Sequence, residues 1–230
     1  MAASPLNFRE SLRNQILPQF KDPALELRYR QHNIRAKQQW VRVGCIVAAV
    51  LFLAVEPLAM IQLPKEVQAL DHAARWYLQV PTMLLAFIIA LKSENVRLVE
   101  STLLLALGTA LLSTTVLLWL AGPQGRDFYT IALVQIMVFG FFVLGPRFKP
   151  TFLCISIIIG LDIVILSGFE YAATSNGMIE RYPLGLIIVF LGLAFAAYSV
   201  DISTRTAFLS TLALNKEYEE RLTLQSERNK

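Results

Sequence analysis

Apolar and polar positions along this chain fall into blocks. Behind a polar N-terminal stretch come six apolar blocks: Trp40 to Leu63, Trp76 to Leu91, Ser101 to Ala121, Phe128 to Leu144, Thr151 to Phe169 and Tyr182 to Val200. A block of about 20 residues with few charges predicts a membrane-spanning helix, because hydrocarbon offers the backbone no hydrogen bonds and a helix satisfies its own. The second and fourth blocks are short, so they call for extra helix length or local tilt. The connections are brief and leave no room for an extracellular domain. The expected fold is all-α: a polytopic six-helix transmembrane bundle whose last helix continues into a cytoplasmic signalling helix.

That continuation follows from the absence of helix breakers. After Gly192 the chain runs to Lys230 without a Gly or Pro, passing from apolar to polar at Asp201. A helix from Tyr182 to Lys230 reaches about 70 Å, of which a bilayer core takes about 30 Å. Lys216 with Glu220 and Glu217 with Arg221 stand at i, i+4 and support an exposed helix. Leu214, Tyr218, Leu222 and Gln225 lie along one stripe, an imperfect coiled-coil seam able to hold two registers of similar energy. Asp201, Arg205, Leu214, Tyr218 and Leu222 are the candidate signal-transducing residues; a merely solvated helix end is the alternative.

The first 39 residues form a third part. Leu12, Ile16 and Phe20 stand at helical spacing, Asp22-Pro23 is a helix start, and a mixed-charge run follows. This predicts an amphipathic collar on the cytoplasmic membrane face, with Arg28, Arg30, Arg35 and Lys37 near lipid phosphates; a solvated pre-membrane segment is the alternative. The expected organisation is a collar over 1–39, a transmembrane domain over 40–200 and a transducer helix over 201–230.

Charge changes the picture by orienting it. The net charge of +4 and pI near 9.2 come from residues beside the apolar blocks, so they argue for membrane orientation and against a nucleic-acid patch. Of the 21 Lys and Arg residues, only Lys65, Arg75, Arg126 and Arg181 fall on the outer side of a six-span topology. Both termini are therefore expected in the cytoplasm, with the chain multi-pass in the cell (inner) membrane. MAASPLNFRESLRNQ lacks a cleavable signal pattern, so the first span is expected to stay in place. Cys45 and Cys154 both fall at the cytoplasmic end, and no disulfide is expected.

Four strongly polar residues interrupt the blocks: Glu56, Gln79, Gln135 and Asp162. All four convert to the outer half of the bilayer, where an ionisable group costs about 3 kcal/mol unless it faces the bundle interior or a wet cavity. Pro57 and Pro81 kink the chain beside Glu56 and Gln79. One reading is a small ligand pocket lined by Glu56, Gln79, Gln135 and Asp162, with Arg75 and His72 at its mouth. The other pairs Glu56 with Arg75 and lets Asp162 and the glutamines bond neighbouring helices. Small residues at Ala106, Ala110 and Thr114, and at Gly192 and Ala196, suggest close helix contacts.

His32 and His72 lie outside the blocks, which excludes bis-histidine haem ligation within the membrane, and no mid-span lysine could carry a retinal Schiff base. The chain shows no metal-ligand spacing, phosphate-binding loop or activated nucleophile. No cofactor and no catalytic residue is expected.

FKDPALELRYRQHNIRAKQQWVR, six spans with short loops, and RTAFLSTLALNKEYEERLTLQSERNK together resemble the N-terminal membrane module of bacterial class III adenylate cyclases. Similar modules precede GGDEF-type diguanylate cyclase domains. The resemblance implies a homodimer whose last helix carries a signal into a cytoplasmic effector domain, with a small hydrophobic or lipid ligand as input. The catalytic aspartates of a cyclase have no counterpart here, so this chain alone is expected to make no cAMP. A small proton-coupled transporter using Glu56 or Asp162 is a second reading. It lacks the internal repeat that transporters show. A passive anchor is the third.

Overall fold

The computed structural model describes residues 20, 22–93, 95–144, 148–170 and 181–228, and among these every regular element is a helix. They are α1 (Pro23–Ala54), α2 (Glu56–Gln62), α3 (Lys65–Ala74), a π-turn (Arg75–Gln79), α4 (Val80–Lys92), α5 (Val96–Phe139), a second π-turn (Gly140–Leu144), α6 (Phe148–Glu170) and α7 (Arg181–Arg228). The expected helix positions of Leu12 and Ile16 lie outside the described residues, as do the side chains of Arg35, Lys37, Arg126 and Arg181.

Each helix boundary has a local cause. Asp22 opens α1: its carboxylate accepts the Ala24 N–H at 2.9 Å, and Pro23 takes the first helical position, where a missing N–H costs nothing. α1 ends just before Glu56-Pro57. Leu63, preceding Pro64, is extended at φ −91°, ψ 150°, as a residue before proline prefers, and so ends α2. Gln68 closes that end by donating to the carbonyls of Met60 and Leu63. Pro81 cannot donate to the helix carbonyl behind it, and the turn before it widens into a π-turn in which the Val80 N–H reaches the Arg75 carbonyl. Asn95 caps α5 by accepting from the Arg97 and Leu98 N–H groups.

The chain divides into two compact units, residues 33–197 and residues 1–32 with 198–230. In the larger unit the core stripe of α5 is Val99, Leu103, Ala106, Leu107, Ala110, Leu111 and Thr114, all buried at helical spacing. The small residues Ala106, Ala110 and Thr114 thus pack inward, whereas Gly192 is exposed with nothing near a built Cβ. Gln38 and Arg42 of α1 both donate to the Ala90 carbonyl, satisfying an otherwise open group in the last turn of α4.

α5 is a single helical element where two spans were expected, yet it does not run straight. Along a straight helix Leu107 and Gly140 would lie about 50 Å apart. Instead, a Cβ built on Gly140 comes 2.7 Å from Leu107 Cδ1. Between them lies the segment Gly122-Pro123-Gln124-Gly125. A Cβ on Gly125 would approach the Ala121 Cβ to 2.4 Å, against about 5–6 Å for residues four apart in a regular helix. The backbone therefore doubles back here, and Gly125 is required by the closeness of the turn.

Among the described residues four segments are long and apolar enough to cross a membrane: Gln38–Gln62, Lys65–Lys92, Val96–Ala121 and Gly185–Arg228. Asp127–Phe142 is a shorter apolar helix. Six spans are expected from the sequence; four segments among the described residues have the length and composition of a span. Val43, Val47, Val50, Ile88, Leu91, Ile157, Leu161, Ile188 and Phe195 are exposed, so the outer surface of these helices is apolar, as a bilayer and not water requires.

Candidate functional site

The smaller unit is organised around one charge. On α7, positions 201, 205, 208 and 212 recur at helical spacing and face inward, while on α1 Glu26 and Tyr29 do the same. Arg205 is 1 % exposed. Its guanidinium grips Glu26 with two hydrogen bonds, Nη1 to Oε2 at 2.7 Å and Nη2 to Oε1 at 3.2 Å, and its Nε donates to Asp201 Oδ2 at 3.1 Å. Tyr29 donates its hydroxyl to the other Asp201 oxygen at 3.0 Å, and the Phe20 N–H donates to Glu26 Oε2 at 3.0 Å. Both carboxylates are thus held by an arginine and by a second donor.

Aromatic rings close the cage. The Arg205 guanidinium carbon sits 4.3 Å from the Tyr29 ring centre and 5.0 Å from that of Phe20, within cation–π range. Phe208, one turn beyond Arg205, packs against Phe20, Tyr29 and His32. Burial, reinforced by the charge of Asp201, pushes the Tyr29 phenol well above its ordinary range, so it remains a hydrogen-bond donor at any physiological pH. Glu26 and Arg205 are 179 residues apart in sequence. The arrangement is a charged clamp that ties the pre-membrane helix to the helix emerging from the last apolar block. It holds two elements in register.

Comparison of the chain with protein-family models, curated proteins and solved structures finds no match.

Of the transducing candidates, Asp201 and Arg205 belong to the clamp. Leu214, Tyr218 and Leu222 instead face outward from α7, between the Glu217–Arg221 pair at 2.6 Å and the longer Lys216–Glu220 pair at 4.0 Å. Phe20, Glu26 and Tyr29 were not singled out as site residues. Their available signal was the spacing of Asp22, Glu26 and Tyr29 along one helix face, together with a lone arginine four residues past Asp201.

The six pocket candidates separate in the larger unit. Glu56 contacts His72 Nδ1 through Oε1 and accepts the Trp76 indole N–H on Oε2 at 3.2 Å, at the exposed edge of the kink. Arg75 does not pair with Glu56. It makes a bidentate bond to Asp71, at 2.6 and 3.0 Å, and donates to the Phe52 carbonyl at 2.8 Å, in the last turn of α1, while Tyr129 donates to Asp71 at 2.9 Å. The reason is position: Asp71 lies one helical turn before Arg75, on the same buried face. Gln79 donates to Ser113 at 2.8 Å across to α5. Asp162 is buried, and Gln135 faces outward. Glu56, His72 and Trp76 are brought together, Gln79 bonds its neighbouring helix, and Gln135 stands apart on the outer surface.

Proposed function

We propose that this chain is a membrane anchor and sensor module of the kind that precedes a class III adenylate cyclase catalytic domain. It passes a ligand- or lipid-dependent change through its last helix. The observation that carries this reading is the Arg205 clamp. A passive anchor needs no buried charge network between its pre-membrane segment and its emerging helix, because such a network costs desolvation energy and earns conformational specificity in return. The bilayer-facing exterior and the doubled-back α5 support a six-span arrangement with Trp40 to Leu63, Trp76 to Leu91, Ser101 to Ala121, Phe128 to Leu144, Thr151 to Phe169 and Tyr182 to Val200 as spans. The charge asymmetry supports cytoplasmic termini in an inner membrane. The module works as a homodimer that couples to a cytoplasmic effector domain, and the outward Leu214, Tyr218 and Leu222 stripe is where two copies of α7 meet.

The test joins the full chain at Lys230 to a class III cyclase catalytic domain and measures cAMP in cells without a cyclase of their own. Arg205→Met and Glu26→Gln are expected to change output at equal membrane abundance. Unchanged output from both, matched by an unrelated dimeric membrane segment in place of this chain, would leave a passive anchor. The intact mass of the native gene product adds the second arm: a mass above 25.8 kDa by that of a diguanylate cyclase domain would assign the module to that output instead.

A further inference from the structure

A second polar cluster, in the larger unit, is independent of the clamp. α2 is a two-turn helix flanked by Pro57 at its start and Pro64 just after its end, and three ties hold this corner of the bundle to α3 and the π-turn. Gln68 donates to Met60 and Leu63, Arg75 donates to Phe52, and the third tie is the Glu56 carboxylate with His72 and Trp76. The first two join a neutral amide and a permanently charged guanidinium to backbone carbonyls, so pH does not alter them. The third has an imidazole facing a carboxylate. Half of the His72 side chain is exposed and the Glu56 side chain is 20 % exposed, and His72 stands between the first two apolar blocks, beside the break at Pro57.

We propose that Glu56, His72 and Trp76 form a proton-responsive staple, in which one proton on His72 tightens the tie between α2 and α3 at the Pro57 break. A neutral imidazole offers Nδ1–H to Glu56 in only one of its tautomers. The imidazolium always offers it, and adds a charge to match the carboxylate. Imidazole changes charge between about pH 5 and 8, the range across which membrane compartments differ. The neighbouring charged groups do not duplicate this response. On α3 and the π-turn, Asp71 and Arg75 are bound to each other in the interior, and Lys65 and Glu66 stand at the opposite end of α3. On α5, which packs against both α2 and α3, Asp127 is exposed and Tyr129 bonds Asp71.

Trp76 supplies the readout. Its ring centre lies 6.1 Å from that of His72, and an imidazolium at that range quenches indole emission. The experiment reconstitutes the full chain in nanodiscs with Trp40→Phe and Trp119→Phe, leaving Trp76 as the sole tryptophan, and records its fluorescence between about pH 5 and 9. The expected result is one step in emission, lost in His72→Gln and moved in Glu56→Gln, which takes the carboxylate out of the tie. A ring-proton NMR titration of His72 in a His32→Gln chain reads the same event without touching the staple, with Glu56→Gln again as comparison. A flat fluorescence profile, or a step and an NMR titration both unmoved by Glu56→Gln, overturns the proposal. Neither outcome bears on the Arg205 clamp, which lies in the other unit.

Discussion

Replacing Arg205 by Met keeps a long apolar side chain in the cage but removes its only positive charge. The three hydrogen bonds that Arg205 donates vanish, two to Glu26 and one to Asp201. Among the described residues, Glu26, 7 % exposed, then keeps the Phe20 N–H alone, and Asp201 the Tyr29 hydroxyl alone. Breaking a buried ion pair from one side costs about 3–5 kcal/mol, most of it the penalty on the carboxylate left behind. The opposing contribution is the aromatic packing of Phe20, Tyr29 and Phe208, where burying one large side chain is worth about 1.5–3 kcal/mol. The two are of similar size, so the variant is expected to release the segment around Phe20 from α7. The reporter is the Phe20 amide, bonded to Glu26 at 3.0 Å, followed by hydrogen exchange in nanodiscs. A loss of about 3–5 kcal/mol speeds its exchange by about a hundredfold to a few thousandfold. Glu26→Gln combined with Arg205→Met removes a charge from each side and is expected to restore a large part of that protection. Acceleration of less than about tenfold in Arg205→Met, or no recovery in the double variant, would refute the claim that charge pairing holds the clamp shut.

Other expectations follow from the same geometry. Tyr29→Phe removes one hydrogen bond to a carboxylate and is expected to destabilise the smaller unit by about 1.5–3 kcal/mol, measured by the same exchange experiment. Because the folded state raises the Tyr29 phenol, its contribution is complete below about pH 10 and is lost as pH climbs beyond it; Tyr29→Phe should abolish that alkaline sensitivity. Gly140→Ala is expected to cost about 1–3 kcal/mol through collision with buried Leu107, and adding Leu107→Ala should relieve the collision, as thermal unfolding in detergent will show. Asp71→Asn leaves Arg75 buried without its counter-charge and should destabilise the larger unit by about 3–5 kcal/mol, more than Asp71→Asn with Arg75→Leu does.

Sequence reasoning read the local features and missed the long-range partners. The Asp22-Pro23 start of α1, the inward stripe Ala106, Ala110 and Thr114, and the unbroken last helix are all set by residues within a few positions of each other. The pairing of Arg75 is the instructive failure. The sequence offered Glu56 as an acid near a proline kink, but Asp71 stands one turn away on the same helix face and reaches first. Glu56 in turn meets His72, which had been placed only at the mouth of a pocket. Asp201 and Arg205 were recognised as belonging to the emerging helix; that Glu26, Tyr29 and Phe20 would enclose them could not be read from spacing alone.

By itself the sequence determined that this chain is helical and suited to a bilayer. Block length, the absence of breakers and the proline and glycine positions act through the backbone over a turn or two, and they carry the same meaning in any fold. Only the tertiary structure decided which buried charges meet. A side chain's angular position on its own helix is set locally, but its partner depends on which helix packs opposite and at what height. That is why Arg205 finds Glu26 across 179 residues, and why the helix from Val96 to Phe139 turns back on itself at a glycine with no room for a methyl group.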